Sequence, residues 1–346
     1  MKVLVTGATG FIGSWIVQEL LAAGHTARVL TRGSSNLQNL QALLSAPDSL
    51  QRIERADGDV LQPASLRAAV TGCDAVIHTA GIAHFKPDDT PMMYRVNVDG
   101  VRNVLEAALA AGVQRAVLTS SVAAMGGGHK PRVADEQTPS NAESLGIDYN
   151  TSKLRGELVG MELHKKGLPL IVLRPVVALG PGDIYHSSTS TFLALARRKL
   201  PVFVDGGASF GDVRDMARAH VAALTQGRVG QAYILGGHNL EMAQLIRTVE
   251  TLTGVPGPRR VPFTLAHSVA GAVELTMRAL GKRTDLSRQL VKASHLYTWV
   301  SSDKAKAELA YAIRPLDESL IDTYRYFLQA GRLSPVTPEL KALAQR

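Results

Sequence analysis

The stretch YNTSK places a tyrosine and a lysine, Tyr149 and Lys153, four residues apart. On a helix, two residues with this spacing lie on the same face. A free tyrosine has a pKa of about 10 and is a poor acid–base catalyst at neutral pH. A nearby ammonium favours the phenolate and lowers that pKa. The pair therefore predicts a tyrosine that exchanges a proton with an oxygen of a substrate.

Two serine hydroxyls belong to the same chemistry. The run LTSSV ends the predicted fifth strand and leaves Ser120 and Ser121 at its carboxyl edge. In open α/β sheets, ligands bind at the carboxyl ends of the strands. A serine there can hold the substrate oxygen with which the tyrosine exchanges its proton.

Three glycines at the start of the chain predict a phosphate site. Gly7, Gly10 and Gly13 stand between an apolar run at 3–5 and a helical pattern that ends at Gly24. Bare backbone can approach a pyrophosphate, and the N-terminus of the helix offers unpaired N–H groups. The spacing is one residue longer than Gly-x-Gly-x-x-Gly. With a nicotinamide dinucleotide bound there, hydride exchange would accompany proton exchange at Tyr149, and its positive ring would further lower the tyrosine pKa.

Arg32 decides the expected form of this dinucleotide. It follows the second apolar run in VLTRG, where an acidic residue would bind the ribose 2′-hydroxyl of NAD. An arginine accommodates the 2′-phosphate of NADP instead. We therefore expect NADP(H), with NAD(H) as the alternative.

The elements that must position these residues alternate along the first half of the chain. Apolar runs of strand length occur at 3–5, 27–30, 75–79, 116–119 and 170–173, with a weaker one at 53–56. Helical segments lie between them, among them 63–70, 97–111 and 149–166. Alternating strands and helices predict a doubly wound α/β fold with a parallel sheet.

The second half predicts a smaller, mostly helical substrate-binding domain. We expect residues 1–175 to form the Rossmann domain and 210–237 to rejoin it as one more helix and strand. Residues 176–209 and 238–332 would form the substrate domain. Residues 333–346 read as a poorly packed tail.

A set of motifs, taken in order, resembles the extended short-chain dehydrogenase/reductases. Besides the three glycines they are GDV (58–60), HTAG (78–81), VNVDG (96–100), TSS (119–121), YNTSK (149–153) and LRP (173–175). The resemblance covers nearly the whole chain and is most specific over the first 180 residues. It selects Ser121 over Ser120, because the catalytic serine of this family lies five residues before the glycine matched by Gly126.

The resemblance also implies roles for individual residues. The catalytic set is Ser121, Tyr149, Lys153 and Asn97, with Asn97 in the proton relay. Asp59 and Val60 would flank the adenine, and Ala80 and Gly81 would line the cofactor path. The remaining residues expected to contact the cofactor are Gly7, Thr9, Gly10, Phe11, Ile12, Gly13, Arg32, Thr119, Tyr149, Lys153, Pro175 and Val177.

Within the family, the motifs favour the branch of dihydroflavonol reductases and 3β-hydroxysteroid dehydrogenases. The acidic pair typical of dehydratases is absent, since Val122 and Ala123 follow Ser121. Val177 stands where sugar-nucleotide enzymes typically carry a diphosphate-binding asparagine. We therefore expect an apolar ketone or secondary alcohol as substrate. The alternatives are a nucleotide-sugar epimerase, which the net charge of +8 and Arg214 would suit, and a non-catalytic cofactor-binding regulator.

The loop at 126–148 is long and polar, and we expect it to cover the substrate cleft. Phe85, His129 and His186 are further candidates for the cleft wall. The histidines show no zinc-ligand spacing, so no metal is assigned. The residues expected to contact the substrate are His84, Ser121, Met125, Tyr149 and Tyr185.

Composition limits the partners. The basic residues are scattered without an aromatic-interleaved stripe, so we expect no nucleic acid. The one cysteine, Cys73, fits a reducing compartment, and we therefore expect a cytoplasmic location. We also expect a homodimer. The apolar stretch at 263–280 is too short and too interrupted to span a membrane. We expect a buried or cleft-lining helix there, and the alternative is a helix in peripheral contact with a membrane.

Overall fold

The computed structural model describes residues 1–33, 35, 38–44, 52–83, 85, 89–185 and 187–345. Within these ranges the main feature is a seven-stranded parallel sheet. Its strands are β1 (Lys2–Thr6), β2 (Thr26–Thr31), β3 (Ile53–Asp57), β4 (Ala75–His78), β5 (Arg115–Thr119), β6 (Leu170–Pro175) and β10 (Ala232–Leu235). Their spatial order is β10-β6-β5-β4-β1-β2-β3, so the direction of winding reverses between β1 and β4.

Helices cover both faces of this sheet. Alternate residues of β1 point to opposite faces: Val3 and Val5 join one hydrophobic cluster and Leu4 another. A π-helical segment (Arg95–Gly100) leads directly into the fifth helix, and a 3₁₀ turn (Val122–Ala124) follows β5. The helices of this part are α1 (Phe11–Ala22), α2 (Gln38–Leu43), α3 (Pro63–Val70), α4 (Thr90–Tyr94), α5 (Val101–Ala110), α6 (Asp148–Lys165) and α8 (Val213–Ala223).

The doubly wound α/β class predicted from the sequence is confirmed. All six apolar runs form strands of the sheet, including the weak one at 53–56. The strand predicted within 231–237 is β10, which pairs with β6 at the edge of the sheet. Tyr149 and Lys153 lie in the first turns of α6, as their spacing predicts.

The remaining elements form a smaller part beside the carboxyl ends of the sheet strands. It contains strands as well as helices: β7 (Val177–Leu179), β9 (Gly207–Asp212), β11 (His238–Glu241) and β13 (Tyr297–Thr298) form a second sheet, and β8 (Val202–Phe203) pairs with β12 (Arg259–Arg260). Its helices are α7 (Ser190–Ala196), α9 (Met242–Thr253), α10 (Phe263–Ala279), α11 (Arg288–Ser294), α12 (Asp303–Leu309), α13 (Leu316–Gln329) and α14 (Pro338–Gln345).

The expectation of a poorly packed tail is wrong. Residues 338–345 form α14, which packs against α9 and α13. Leu340 and Leu343 are buried in the same hydrophobic cluster as Val249 of α9. The Thr337 hydroxyl donates a hydrogen bond to the carbonyl of Thr253 at the end of α9. The apolar residues of this short segment have a partner about ninety residues earlier in the chain, which local patterning does not reveal.

We expected a buried or cleft-lining helix at 263–280, and the structure contradicts burial, whereas the cleft-lining position stays a prediction. The segment does form a helix, α10, but only Ala270 and Gly271 in it are buried. Leu265, Val269 and Leu275 are exposed. Among the described residues, no helix is both long and apolar enough to cross a membrane.

Candidate active site

The glycine loop brings the N-terminus of α1 against the end of β4. Gly7 has a φ of +71°, and a Cβ on it would lie 2.6 Å from the backbone nitrogen of Ala80. A Cβ on Gly13 would lie 2.1 Å from the carbonyl oxygen of Gly7. Gly10 begins the helix and has no side chain to cap it. The first-turn N–H groups of α1 thus form a cradle of the kind that binds phosphate.

The other residues predicted to contact the cofactor lie in the same turn and after β2, β3 and β4. Arg32 is exposed directly after β2, and its backbone N–H donates to the hydroxyl of Ser35. The carboxylate of Asp59 accepts from the N–H of Leu61, and Val60 is buried beneath the sheet end. Thr9, Ile12 and Gly81 remain partly or fully accessible, whereas the side chain of Phe11 is in the core.

Tyr149 and Ser121 are neighbours in the site. A hydrogen bond with Ser121 lowers the pKa of Tyr149, but burial raises it by more, so that its pKa lies above its usual value. Lys153 is not among the groups that shift this pKa, so the lowering expected from Lys153 is not found. The protein's own groups keep Tyr149 protonated, which makes it a proton donor. The ring of Phe85 packs edge-on against Tyr149, with 5.8 Å between the ring centroids.

Lys153 lies one turn after Tyr149 on α6. Its ammonium donates a hydrogen bond of 3.0 Å to the carbonyl of Thr119, the last residue of β5. Burial lowers the pKa of Lys153 to about 8, and the Glu157 carboxylate opposes this change. Lys153 therefore keeps its proton at neutral pH and faces the site as a cation.

Ser120 is used for a different purpose from Ser121. Its hydroxyl donates a 2.7 Å hydrogen bond to Glu157, which also forms a buried ion pair with Arg174 of β6. Ser120 thus joins α6 to two strands and is not turned toward Tyr149. Sequence analysis did not single out Glu157, although it lies four residues after Lys153 on the same helix face.

Asn97 is buried in the π-helical segment. Its side-chain oxygen accepts from the N–H of Ile82, and its amide donates to the carbonyl of Ile82 and to the hydroxyl of Ser152. The side chain therefore braces the segment after β4 against α6. A place for Asn97 in a proton relay stays a prediction.

The residues predicted to contact substrate are only partly brought together. Ser121 and Tyr149 meet, but Met125 is buried in the main core, where its side chain contributes to packing. Tyr185 is 56% exposed in the loop before α7. His84 and His186 lie outside the described residues. Pro175 ends β6, and Val177 begins β7 in the second sheet.

The loop at 126–148 is attached to the carboxyl-terminal part. Gly128 exchanges two backbone hydrogen bonds with Tyr297. Ala134 accepts from Ser301 and donates to Trp299. This pairing holds the loop along the chain at 297–301. Its expected role as a cover of the cleft stays a prediction.

A contact from α11 closes one side of the site. Gln289 exchanges two hydrogen bonds with Asp148, the neighbour of Tyr149, at 2.9 and 2.7 Å. The Ser287 hydroxyl donates 2.7 Å to the carbonyl of Phe85. These residues are about 140 and 200 positions apart in the chain, and no local signal in the sequence predicts them.

Arg214, the residue that could favour an anionic ligand, already has two carboxylate partners. It forms ion pairs of 2.7 Å with Asp212 and with Asp322. Hydrogen bonds and Coulomb attraction from these carboxylates raise the pKa of Arg214. Its positive charge is thus neutralised within the protein.

Comparison with known proteins agrees with this geometry. Residues 3–236 match the model of the NAD dependent epimerase/dehydratase family. A putative dihydroflavonol 4-reductase of Synechocystis is 33% identical over 94% of both chains. Sterol demethylase protein B of Methylococcus capsulatus is 32% identical over 78% of this chain and 80% of its own. The crystal structure of gox2253 superposes with a TM-score of 0.82 and 35% identity, over 96% of this chain and 99% of that one.

Proposed function

Because the chain belongs to the NAD dependent epimerase/dehydratase family and is an NAD(P)-dependent oxidoreductase, we propose that it interconverts a ketone and a secondary alcohol on an apolar small molecule. The observation that carries the proposal is that Ser121 lies near enough to Tyr149 to lower its pKa, while the Lys153 ammonium is held one helical turn away by the carbonyl of Thr119. A regulator without catalysis would not need these three groups together.

Each residue has one task in the proposed reaction. The bound nicotinamide supplies or accepts the hydride. Tyr149, protonated at neutral pH, donates a proton to the carbonyl oxygen of the substrate. Ser121 holds that oxygen by a hydrogen bond. Lys153 places a positive charge where the tyrosine loses its proton, and its bond to Thr119 fixes its position. Asn97 positions α6 through Ser152.

NADP(H) is the proposed form of the cofactor. A Cβ on Gly7 or on Gly13 would collide with backbone, so this tight turn requires glycine at both positions. The bare backbone and the first-turn N–H groups of α1 are the features that fit a pyrophosphate. Arg32 supports NADP over NAD, since it is exposed directly after β2, the position at which an arginine accommodates a 2′-phosphate in dinucleotide-binding folds.

An apolar substrate is supported by one apolar residue beside Tyr149 and by another in the segment after β6. Phe85 presents an aromatic edge to it, and the half-buried Val177 replaces the diphosphate-binding asparagine. Arg214 is occupied by Asp212 and Asp322, which weakens the case for a nucleotide sugar. The names of two relatives refer to a dihydroflavonol and to a sterol.

The rest of the proposal concerns organisation. Residues 1–175 with 210–237 would bind the cofactor, and 176–209 with 238–332 would bind the substrate. The homodimer and the cytoplasmic location remain part of the proposal.

The substitution Tyr149→Phe tests the mechanism. It removes the proton donor but keeps the ring that packs on Phe85. We expect turnover of a ketone substrate to fall by about 10² to 10⁴, as for the loss of a general acid. Cofactor affinity, followed by fluorescence titration, should change little. Tyr326→Phe, on α13, is the control and should leave turnover unchanged. Near-normal turnover in Tyr149→Phe would remove Tyr149 from the mechanism.

A substrate panel tests the chemical class. Aryl and alicyclic ketones, a 3-ketosteroid, UDP-glucose and GDP-mannose are compared by NADPH oxidation and by thermal shift with saturating cofactor. We expect oxidation and stabilisation with apolar ketones. Stabilisation by a nucleotide sugar, together with no response to any apolar ketone, would overturn the proposal in favour of an epimerase.

A further inference from the structure

The outer face of α10 lacks the charges that a solvated helix face usually carries. Of its nine exposed residues, only Arg278 is charged. Leu265 is 54% exposed and Leu275 72%, and Leu280, directly after the helix, is 61% exposed. The opposite face, with Ala270 buried, holds α10 to α11. A surface helix normally turns its apolar stripe inward and its charged residues outward. The exposed residues are Thr264, Leu265, Ser268, Val269, Ala272, Leu275, Thr276, Arg278 and Ala279.

Basic residues are concentrated in the chain segment that contains this helix, although Arg260 and Arg283 are paired with Asp205 and Asp89 outside it. Residues 259–292 contain seven basic residues and two acidic ones, Glu274 and Asp285, so this segment contributes +5 of the chain's net charge of +8. Arg278 and Lys282, at the end of α10, form no salt bridge with another described residue. The basic residues of the segment are Arg259, Arg260, Arg278, Lys282, Arg283, Arg288 and Lys292.

We propose that α10 binds the surface of an anionic lipid bilayer. Helices that lie in a membrane interface have an apolar face that enters the acyl boundary and basic residues that attract anionic headgroups. α10 and its basic surroundings provide both. A second copy of this chain fits the face less well, because a two-fold contact would oppose two segments of charge +5.

The position of α10 links this surface to the active site. α10 packs on α11, and α11 is joined to the site through the bonds from Gln289 to Asp148 and from Ser287 to Phe85. If the proposed function holds, an apolar substrate dissolved in the bilayer would reach Tyr149 from this side. Binding of α10 to lipid does not itself depend on catalysis.

Vesicle flotation of the full chain tests the proposal, without substrate or cofactor. We expect the protein to float with vesicles of phosphatidylglycerol and phosphatidylcholine, and to float less at high salt. Leu275→Glu should weaken this binding by about tenfold or more, because it places a charge in the acyl boundary. Lys282→Glu should weaken it and reduce its salt dependence. The control is Val336→Glu, at a residue that is 68% exposed and lies outside this segment, and it should bind as the wild type does.

Two results would overturn the proposal. One is a wild-type protein that does not float with the phosphatidylglycerol vesicles. The other is equal flotation of the wild type and Leu275→Glu, with both melting at the same temperature. Light scattering tests whether a second copy of the chain covers the face instead. If the wild type is a dimer that does not float, and Leu275→Glu dissociates it, the face belongs to a second copy. Tyr149→Phe should float like the wild type, so a failure of the proposed chemistry is separate from a failure of lipid binding.

Discussion

Glu157 has two effects on the site without facing the substrate. It accepts a hydrogen bond from Ser120 and forms an ion pair with Arg174, which fixes α6 against β5 and β6. Its carboxylate also raises the pKa of Lys153 against the lowering caused by burial. Without that carboxylate the lysine would lose its proton at a lower pH. The adjacent serines therefore differ: Ser120 has a structural role, and the chemical role is proposed for Ser121.

At the level of single residues, Arg32→Asp tests the choice of cofactor. Charge-assisted hydrogen bonds to a 2′-phosphate contribute about 1.5–3 kcal/mol each. The substitution should weaken NADPH binding by at least about tenfold, the equivalent of about 1.4 kcal/mol, and shift preference towards NADH. Titration of both cofactors measures the change. Arg55→Asp, exposed on β3, makes the same change in net charge and should have little effect. A wild type that prefers NADH would contradict the assignment.

Part of the site follows from the sequence because it is local. Tyr149 and Lys153 share a helix face through their spacing alone. The bond between Gln289 and Asp148 does not follow, because it depends on how α11 packs against α6. The substrate contact expected of Met125 stays a prediction for a related reason. Its position beside the serine loop is visible in the sequence, but whether its side chain faces the cleft or the core depends on the packing of other elements.

At the level of elements, the turn from β1 to α1 works because two backbones approach closely. The carbonyl of Gly7 lies where a side chain on Gly13 would begin, and the end of β4 lies against Gly7. This close approach directs the first turn of α1 to the switch point between β1 and β4, where the strand order reverses. Doubly wound sheets bind dinucleotides at that point.

Gly13→Ala should therefore move the start of α1. The new Cβ would lie 2.1 Å from the Gly7 oxygen, so the loop must shift. We expect cofactor binding at least about tenfold weaker and a loss of about 1–3 kcal/mol in stability, as for overpacking. Fluorescence titration and urea unfolding measure the two effects. At Gly128 the nearest contact for a Cβ is 3.6 Å, so Gly128→Ala is the matched control. Unchanged affinity in Gly13→Ala would show that the loop does not hold the pyrophosphate.

The bounds of a helix or strand were predictable where residues at its own ends determine them. The bounds of α3 match the prediction because Pro63 starts the helix and Gly72, with φ of +73°, follows its end. α10 and α14 were misjudged because burial depends on neighbours. The apolar residues of α14 are buried against α9 and α13. Several apolar residues of α10 have no such neighbour and are exposed.

At the level of the whole molecule, the carboxyl-terminal helices have a core of their own. Tyr324 and Phe327 of α13 are fully buried with Leu245 of α9 and Leu340 of α14. Strands β7 and β9 carry this core to the end of the main sheet, since Val177 pairs with Phe210 directly after β6. The chain up to α14 therefore contributes to this second core.

Leu340→Ala tests this contribution. Leu340 is fully buried, and such a truncation costs about 2–5 kcal/mol of unfolding free energy. Urea unfolding measures the loss. Val336→Ala, at an exposed position four residues earlier, should stay within about 0.5 kcal/mol of the wild type. If Leu340→Ala unfolds at the same urea concentration as the wild type, α14 does not pack as described.

The position of β10 affects how the chain folds during synthesis. The ribosome completes β6 at Pro175, but the strand that covers its outer edge begins only at Ala232. Until then β6 is an unpaired edge strand of the sheet in the nascent chain. The core also lacks the side chains of Tyr233 and Ile234, which are buried in the complete protein. Domains usually fold in order as they emerge. Here the seven-stranded sheet must wait for a strand made after β7 and β9 of the second sheet, so a translational pause between these two points would prolong an aggregation-prone state.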